Sequence, residues 1–371
     1  MLAWGNLSGW RMFCPRCYRT YHEPNHRYCP ADGAALLATS PLDRLRSRAT
    51  SQRGAILGDR YAIQGFVGSG GMARVYLAED LHTQQPVAVK VLHKERAFEE
   101  EAVKRFLREV ELSSTIVHPN VIRVLGSGER RDGVPYIVME FLFGESLGDL
   151  LRRDGMVEPT FALPLLKKMA AGLAEAHRAG IIHRDVKPDN LFLVGERGDP
   201  YELKVVDFGM AKLMEREVTT AGMALGTLEY MAPEQAITDA VDARTDVYGL
   251  GVVMFRMMLG RVPFDARDSA TLIAQHLFVA APRPSKLRTD FVRPVEAVIM
   301  KALAKNPANR YASMQELLED LERLLLERGS ALAAYKPAHG PDEYEPRGTF
   351  AKSAALALRA HLDRATALGL R

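Results

Sequence analysis

HRDVKPDN at residues 183–190, followed by DFG at 207–209, is the stretch on which the reading of this chain turns. Just upstream, Leu166, Met169, Leu173 and His177 recur at helical spacing, so one long helix leads into it. Before that helix the pattern is different. YAIQGFV (61–67), RVYLAED (74–80), PVAVKVL (86–92), VIRVLGS (121–127) and PYIVMEFL (135–142) are short β-like runs separated by Gly-containing or polar turns, as in an antiparallel sheet. Between the third and fourth runs, residues 97–115 place Val103, Phe106, Leu107 and Val110 on one helical face, with Glu109 beside that stripe. The order is sheet first and helices later. It predicts an α+β chain with a small β-rich lobe and a larger helical lobe joined near Glu140 to Gly144, and a cleft suited to a ligand at the joint.

Two features of the first lobe carry chemistry. VGSGGMARVY (67–76) sets Gly68, Gly70 and Gly71 between two strands, where backbone amides can approach phosphate oxygens with no side chain in the way. By itself such a run is also an ordinary hairpin turn. On the next strand Lys90 is a single cation among apolar neighbours, and an ammonium buried there needs an anionic partner. Glu109 on the following helix can supply it, leaving the ammonium between a carboxylate and the phosphates of a nucleotide.

HRDVKPDN and DFG match the catalytic loop and metal-binding motif of protein kinases. GSGGMARVY, YIVMEF, GTLEYMAPEQ (226–235), RTDVYGLGVV (244–253) and GRVPF (260–264) occur in the same order, and the whole resembles the bacterial, eukaryotic-like serine/threonine protein kinases over residues 61–328. That resemblance implies a bilobal protein-kinase fold and transfer of the ATP γ-phosphoryl to serine or threonine. It makes Asp185 the group that accepts or orients the substrate hydroxyl proton, Lys187 the stabiliser of the transferring charge, Asn190 a Mg²⁺ ligand, and Asp207 the bridge from Mg²⁺ to the phosphates. Val67, Gly68, Ser69, Gly70, Gly71, Val75, Lys90 and Glu109 would then hold ATP, with Met139 as gatekeeper and Glu140 and Leu142 offering backbone groups to adenine. Two acids and an amide around phosphates require divalent cations, since carboxylates alone would repel them. Lys187 and Thr227 accompany serine/threonine acceptors in the family, and Arg310 resembles a structural arginine. Arg184 resembles the arginine of kinases whose activation loop is ordered by phosphorylation, with Thr219 and Thr220 as candidate acceptors and self-association as a route to their modification. His183 reads as a histidine packed behind the loop.

Two departures from the family pattern leave the reacting groups in place: Ala73 replaces the third glycine of the phosphate loop, and VGERGDPYELK (194–204) lengthens the hairpin before DFG. A pseudokinase scaffold that binds nucleotide and partners is the rival reading. Retention of Lys90, Glu109, Asp185, Asn190 and Asp207 argues against it.

The remaining segments read differently. The 3 cysteines of the 371-residue chain all lie within residues 14–29, too few and too close for a disulfide framework. Cys14 and Cys17 form CPRC and Cys29 begins CPADG, which resembles a zinc ribbon over residues 12–35 with Asp32 in the usual fourth-cysteine position; His22 or His26 are the alternatives. Residues 36–59 read as a linker, and residues 329–371 as a tether followed by an amphipathic helix with Leu358, Leu362, Ala365 and Leu368 on one side. A net charge of +3 and the lack of a basic-aromatic pattern give no reason to expect nucleic acid as a partner. No apolar run approaches the roughly 18 residues of a membrane helix. The expectation is a cytoplasmic signalling enzyme acting on protein substrates.

Overall fold

A computed structural model describes residues 12–14, 20–21, 28–31, 33–36, 50, 52–195, 201–208, 228–238 and 241–326. They fall into two compact units. One comprises the segments Met1–Ser114, Ile122–Gly144 and Leu193–Glu202, the other Thr115–Val121, Glu145–Phe192 and Leu203–Arg371.

The first unit begins with a small pairing of β1 (Met12–Phe13) with β2 (Thr20–Tyr21) and an isolated bridge between Tyr28 and Ala35. Its main body is a six-stranded antiparallel sheet of β3 (Ile56–Leu57), β4 (Tyr61–Ser69), β5 (Ala73–Asp80), β6 (Gln85–Leu92), β7 (Val124–Glu129) and β8 (Pro135–Glu140), in the order β3-β4-β5-β6-β8-β7. The run VAVKVL is buried at every residue from Val87 to Leu92, so β6 takes an interior position between β5 and β8. β7 differs from its sequence reading. VIRVLGS suggests a strand from Val121, but the strand starts at Val124 and carries a register shift between Val124 and Gly126, while Val121 makes a separate parallel bridge to Val205. The expected helix over 97–115 is in two pieces: a 3-10 turn at Arg96–Phe98 and α1 (Glu100–Ser114), separated by Glu99 in an extended conformation.

The second unit is helical. α2 (Leu147–Asp154) opens with a capping box, in which the Ser146 hydroxyl accepts from the Asp149 N–H and the Asp149 carboxylate accepts from Ser146 N–H. α3 (Pro159–Arg178) is the long helix foreseen from Leu166, Met169, Leu173 and His177. α4 (Arg244–Leu259) is buried continuously from Thr245 to Phe255, the signature of a helix packed on all sides, and ends on Gly260 in the left-handed conformation. α5 (Ser269–Phe278), α6 (Arg293–Ala302) and α7 (Met314–Leu326) complete the described helices of eight residues or more. Gly249 of α4 is required by close approach, because a Cβ there would lie 3.0 Å from Val186 Cβ and 3.2 Å from Val186 O. No described helix is long and apolar enough to cross a membrane.

Arg310 ties three segments of this unit together. Its Nη1 and Nη2 each donate to Glu234 at 2.7 Å, while the same guanidinium donates to Arg244 O at 2.9 Å, Lys305 O at 3.0 Å and Ala304 O at 2.7 Å. Thr245 Oγ1 adds a donor to Glu234 at 2.8 Å. Buried carboxylates keep their charge only with such complete pairing. The structural role expected of Arg310 is therefore visible in its contacts. Replacing it by methionine leaves Glu234 buried without its cation, and we expect Arg310→Met to lower unfolding free energy by about 3–5 kcal/mol in denaturant titrations. A loss below about 1 kcal/mol would contradict this account of the pair.

Candidate functional site

The helical unit holds HRDVKPDN as a loop whose shape is imposed from behind. Asp246, in the first turn of α4, directs Oδ1 to the Arg184 N–H at 2.7 Å and Oδ2 to the His183 N–H at 2.8 Å. His177 Nε2, from the last turn of α3, reaches the same Oδ2 at 2.6 Å. Burial presses the Asp246 pKa upward, but the His177 hydrogen bond, the positive potential of His177 and His183, and the His183 N–H outweigh it, and the net shift is downward. Arg184 sits at φ 66°, a conformation that non-glycine residues seldom adopt. It is held there by Asp246 on its N–H and by Gln235 Nε2, which donates to Arg184 O at 3.0 Å.

On the front of the loop, Lys187 Nζ donates to Asp185 Oδ2 at 2.7 Å, and Asn190 Nδ2 donates to Asp185 O at 2.8 Å and to Asp185 Oδ2 at 3.0 Å. One carboxylate oxygen thus carries two donors while Oδ1 stays clear of both. The 3-10 turn Pro188–Asn190 feeds directly into β9 (Leu191–Val194), whose neighbour β10 (Glu202–Val205) leads to DFG. Val206 N–H donates to Asn190 O at 3.0 Å, so the two motifs are stitched together by backbone. Asp207 is also left-handed, at φ 59°. His183 is fully buried, its Nε2–H donating to Val206 O at 3.0 Å and its ring 4.8 Å from that of Phe208. It packs behind the loop as its sequence context suggests.

In the sheet unit, cross-strand pairing sets Val75 and Ile137 opposite Lys90, and Leu77 and Met139 opposite Ala88. Opposed residues and their i+2 neighbours share a face, so Lys90 is the cation of an otherwise apolar surface made by Val75, Leu77, Ala88, Ile137 and Met139. The glycine turn lies beside it. Gly68 pairs with Val75, Ser69 pairs with Arg74, and Val67 is the extra residue of a register shift between Phe66 and Gly68. Gly68, Gly70 and Gly71 have none of the positive φ that demands glycine, and a Cβ on any of them would meet nothing closer than 3.9 Å. Neither backbone conformation nor packing excludes a side chain at these glycines, and a turn without side chains leaves its backbone amides open to the close approach of a ligand. Gly144 shows the opposite case: φ 151°, with a Cβ colliding with Leu193 O.

At the end of β8, Glu140 N–H donates to Arg123 O at 3.0 Å. Leu142 N–H and C=O enter no hydrogen bond among the described residues. Glu109 lies in α1, and its side chain is outside the described residues, as are Cys17, Asp32, His22, His26, Thr219, Thr220, Thr227, Gly209 and the C-terminal tether and helix over 329–371. Cys14 and Cys29 are both buried and share one cluster with Leu36. Among the described residues, no three His, Cys, Asp or Glu side chains are grouped to hold a metal ion.

Comparison with known proteins agrees with this geometry. The chain belongs to the protein kinase domain family, whose model matches residues 61–321. Serine/threonine-protein kinase pkn3 of Myxococcus xanthus is 36% identical over 282 residues, covering 74% of this chain and 52% of the relative. Serine/threonine-protein kinase PrkC of Bacillus subtilis is 35% identical over 270 residues, covering 72% of this chain and 41% of the relative. The chain spans about half the length of the curated relatives it matches. The crystal structure of the Mycobacterium tuberculosis PknI kinase domain superposes with a TM-score of 0.59 at 27% identity, covering 74% of this chain and 99% of that one.

Sequence reading missed the clamp behind the loop. Asp246, His177 and Gln235 were legible only as parts of a motif or a helical face, although Asp246 is the sole acid in RTDVYGLGVVMFRMML and lies in its long buried stretch. The clamp makes a specific prediction. Asp246→Asn puts an amide NH₂ against main-chain N–H donors, so the loop loosens and turnover falls at least about tenfold while ADP affinity is retained. Stability supplied by Asp246 is complete above the unfolded carboxyl pKa of about 3.9 and is lost as pH falls through its lower folded value. The stability gap between wild type and Asp246→Asn, measured by urea unfolding, should therefore narrow below about pH 4. A gap independent of pH would count against the clamp.

Proposed function

We propose that this chain transfers the γ-phosphoryl of ATP to serine or threonine hydroxyls of proteins, acting as a bacterial serine/threonine protein kinase. The observation that carries the reading is the Asp185 carboxylate, whose Oδ2 is fixed by Lys187 and Asn190 while Oδ1 is clear of both. The hydroxyl oxygen attacks the γ-phosphorus, the bond to the bridging oxygen of ADP breaks, and the hydroxyl proton passes to Asp185. Lys187, already beside that carboxylate, stabilises the charge of the transferring group. Serine/threonine relatives at 35–36% identity and the catalytic-loop lysine support this acceptor class.

The residues present fit Mg²⁺: Asn190 turns its NH₂ inward to Asp185, which leaves its carbonyl oxygen for a hard cation, and Asp207 supplies a carboxylate on the segment stitched to Asn190. When bound, the cation neutralises the phosphate oxygens and orients the leaving group. In the sheet unit, Val67, Gly68, Ser69, Gly70, Gly71 and Val75 cradle the nucleotide, Lys90 with Glu109 as its anionic partner pairs the phosphates, and Met139, Glu140 and Leu142 border adenine. Glu140 offers its carbonyl there, and Leu142 its N–H. We infer that it acts in the cytoplasm, in signalling. Arg184 is the arginine to which a phosphate on Thr219 or Thr220 would pair after one copy modifies another. With labelled ATP and Mg²⁺, label should appear on serine or threonine of a generic protein and of the chain itself, and Asp185→Asn should reduce it at least about a hundredfold. Equal labelling by both proteins would defeat the mechanism.

Residues 12–35 complete the reading as a structural zinc unit that serves interaction, with Cys14, Cys17, Cys29 and Asp32 as ligands. Its support is the burial of Cys14 and Cys29 in one cluster and the Ala31 N–H that points to Cys29 Sγ at 3.4 Å, a donor suited to a metal-bound thiolate. Elemental analysis of undamaged protein should find stoichiometric zinc that Cys14→Ser lowers. Zinc-free protein would reject the site.

A further inference from the structure

The glycine turn is braced by a residue outside it. Gly70 N–H donates to Ala73 O at 2.9 Å and closes the turn between β4 and β5. Immediately past β6, His93 N–H donates to Met72 O at 2.8 Å, and His93 Nε2 lies 2.8 Å from Gly70 O. A carbonyl oxygen only accepts, so Nε2 carries the proton in this contact. No peptide among the described residues is cis, and a trans peptide holds its C=O and the following N–H antiparallel. With Gly70 O directed at the imidazole, the Gly71 N–H points the opposite way. That N–H enters no hydrogen bond among the described residues.

Glycine on both sides of this peptide makes its orientation the least determined in the turn, because neither neighbour has a Cβ to restrict rotation of the plane. The His93 contact removes that freedom. We infer that His93 is a positioning residue for phosphate recognition: it pins the Gly70–Gly71 peptide so that the Gly71 N–H is presented to an anionic phosphate oxygen. The inference rests on the proposed nucleotide-binding role of the turn. His93 stands three residues beyond Lys90, just past the end of β6, so one short segment carries both the ammonium and, through the imidazole, the brace of a backbone donor.

Calorimetric titration with ADP in the presence of Mg²⁺, and separately with adenosine, distinguishes positioning from general support of the fold. His93→Ala should weaken ADP about three- to tenfold and leave adenosine unchanged, since adenosine lacks the phosphates that Gly71 would meet. His93→Gln, whose side-chain amide can donate to the same carbonyl, should recover most of the ADP affinity. Equal ADP affinity in wild type and His93→Ala would overturn the inference while leaving the function standing. Parallel losses for ADP and adenosine would overturn it too, by showing a loosened sheet. Wild-type protein that binds neither compound would remove the nucleotide reading itself.

Discussion

One buried carboxylate organises the helical unit. Asp246 accepts hydrogen bonds from two successive backbone amides, His183 and Arg184, and from the His177 imidazole, and it stays ionised against complete burial because of them. A left-handed Arg184 is costly by about 1–3 kcal/mol, and persists only where neighbours over-determine it. Those neighbours are on three elements: α3, α4 and the turn that contains Gln235. With the backbone locked from behind, the Asp185 side chain needs only Lys187 and Asn190 to fix it in front. Preorganisation of this kind places the charged groups before any substrate arrives, which is the condition under which electrostatic stabilisation of a transition state is most effective.

The sheet unit follows a different logic. The face that carries Lys90 is otherwise apolar across Val75, Leu77, Ala88, Ile137 and Met139, and the turn beside it is distinguished by what is missing. At Gly68, Gly70 and Gly71 neither backbone conformation nor packing excludes a side chain. Backbone amides in such a turn can act as anion donors only if they are both accessible and correctly turned. Accessibility is supplied by glycine, and orientation by the contact from His93.

How much of this was legible in the sequence depends on the range of the interaction. Strands β4, β5, β6 and β8 announced themselves through local apolar patterning, and the long α3 through its helical repeat, because both report burial of neighbouring residues. β7 was misplaced at its start because Val121, equally apolar, pairs with Val205 and not with the sheet. The catalytic loop was readable because its chemistry is compressed into eight consecutive residues. Asp246 was not, since it lies 62 residues from the Arg184 amide and 69 from His177. The Glu140 N–H, engaged by Arg123 O, was likewise invisible to a reading that assigns hinge groups by position in a motif.

The central claim, that Asp246 holds the catalytic loop in a strained but single conformation, is tested most directly by amide hydrogen exchange at His183 and Arg184. Both amides should exchange as slowly as those of the buried α4 helix, and should lose that protection selectively in Asp246→Asn. Exchange of the two wild-type amides at the rate of exposed loop amides would show that the carboxylate does not hold them, and the account of the site would fail with it.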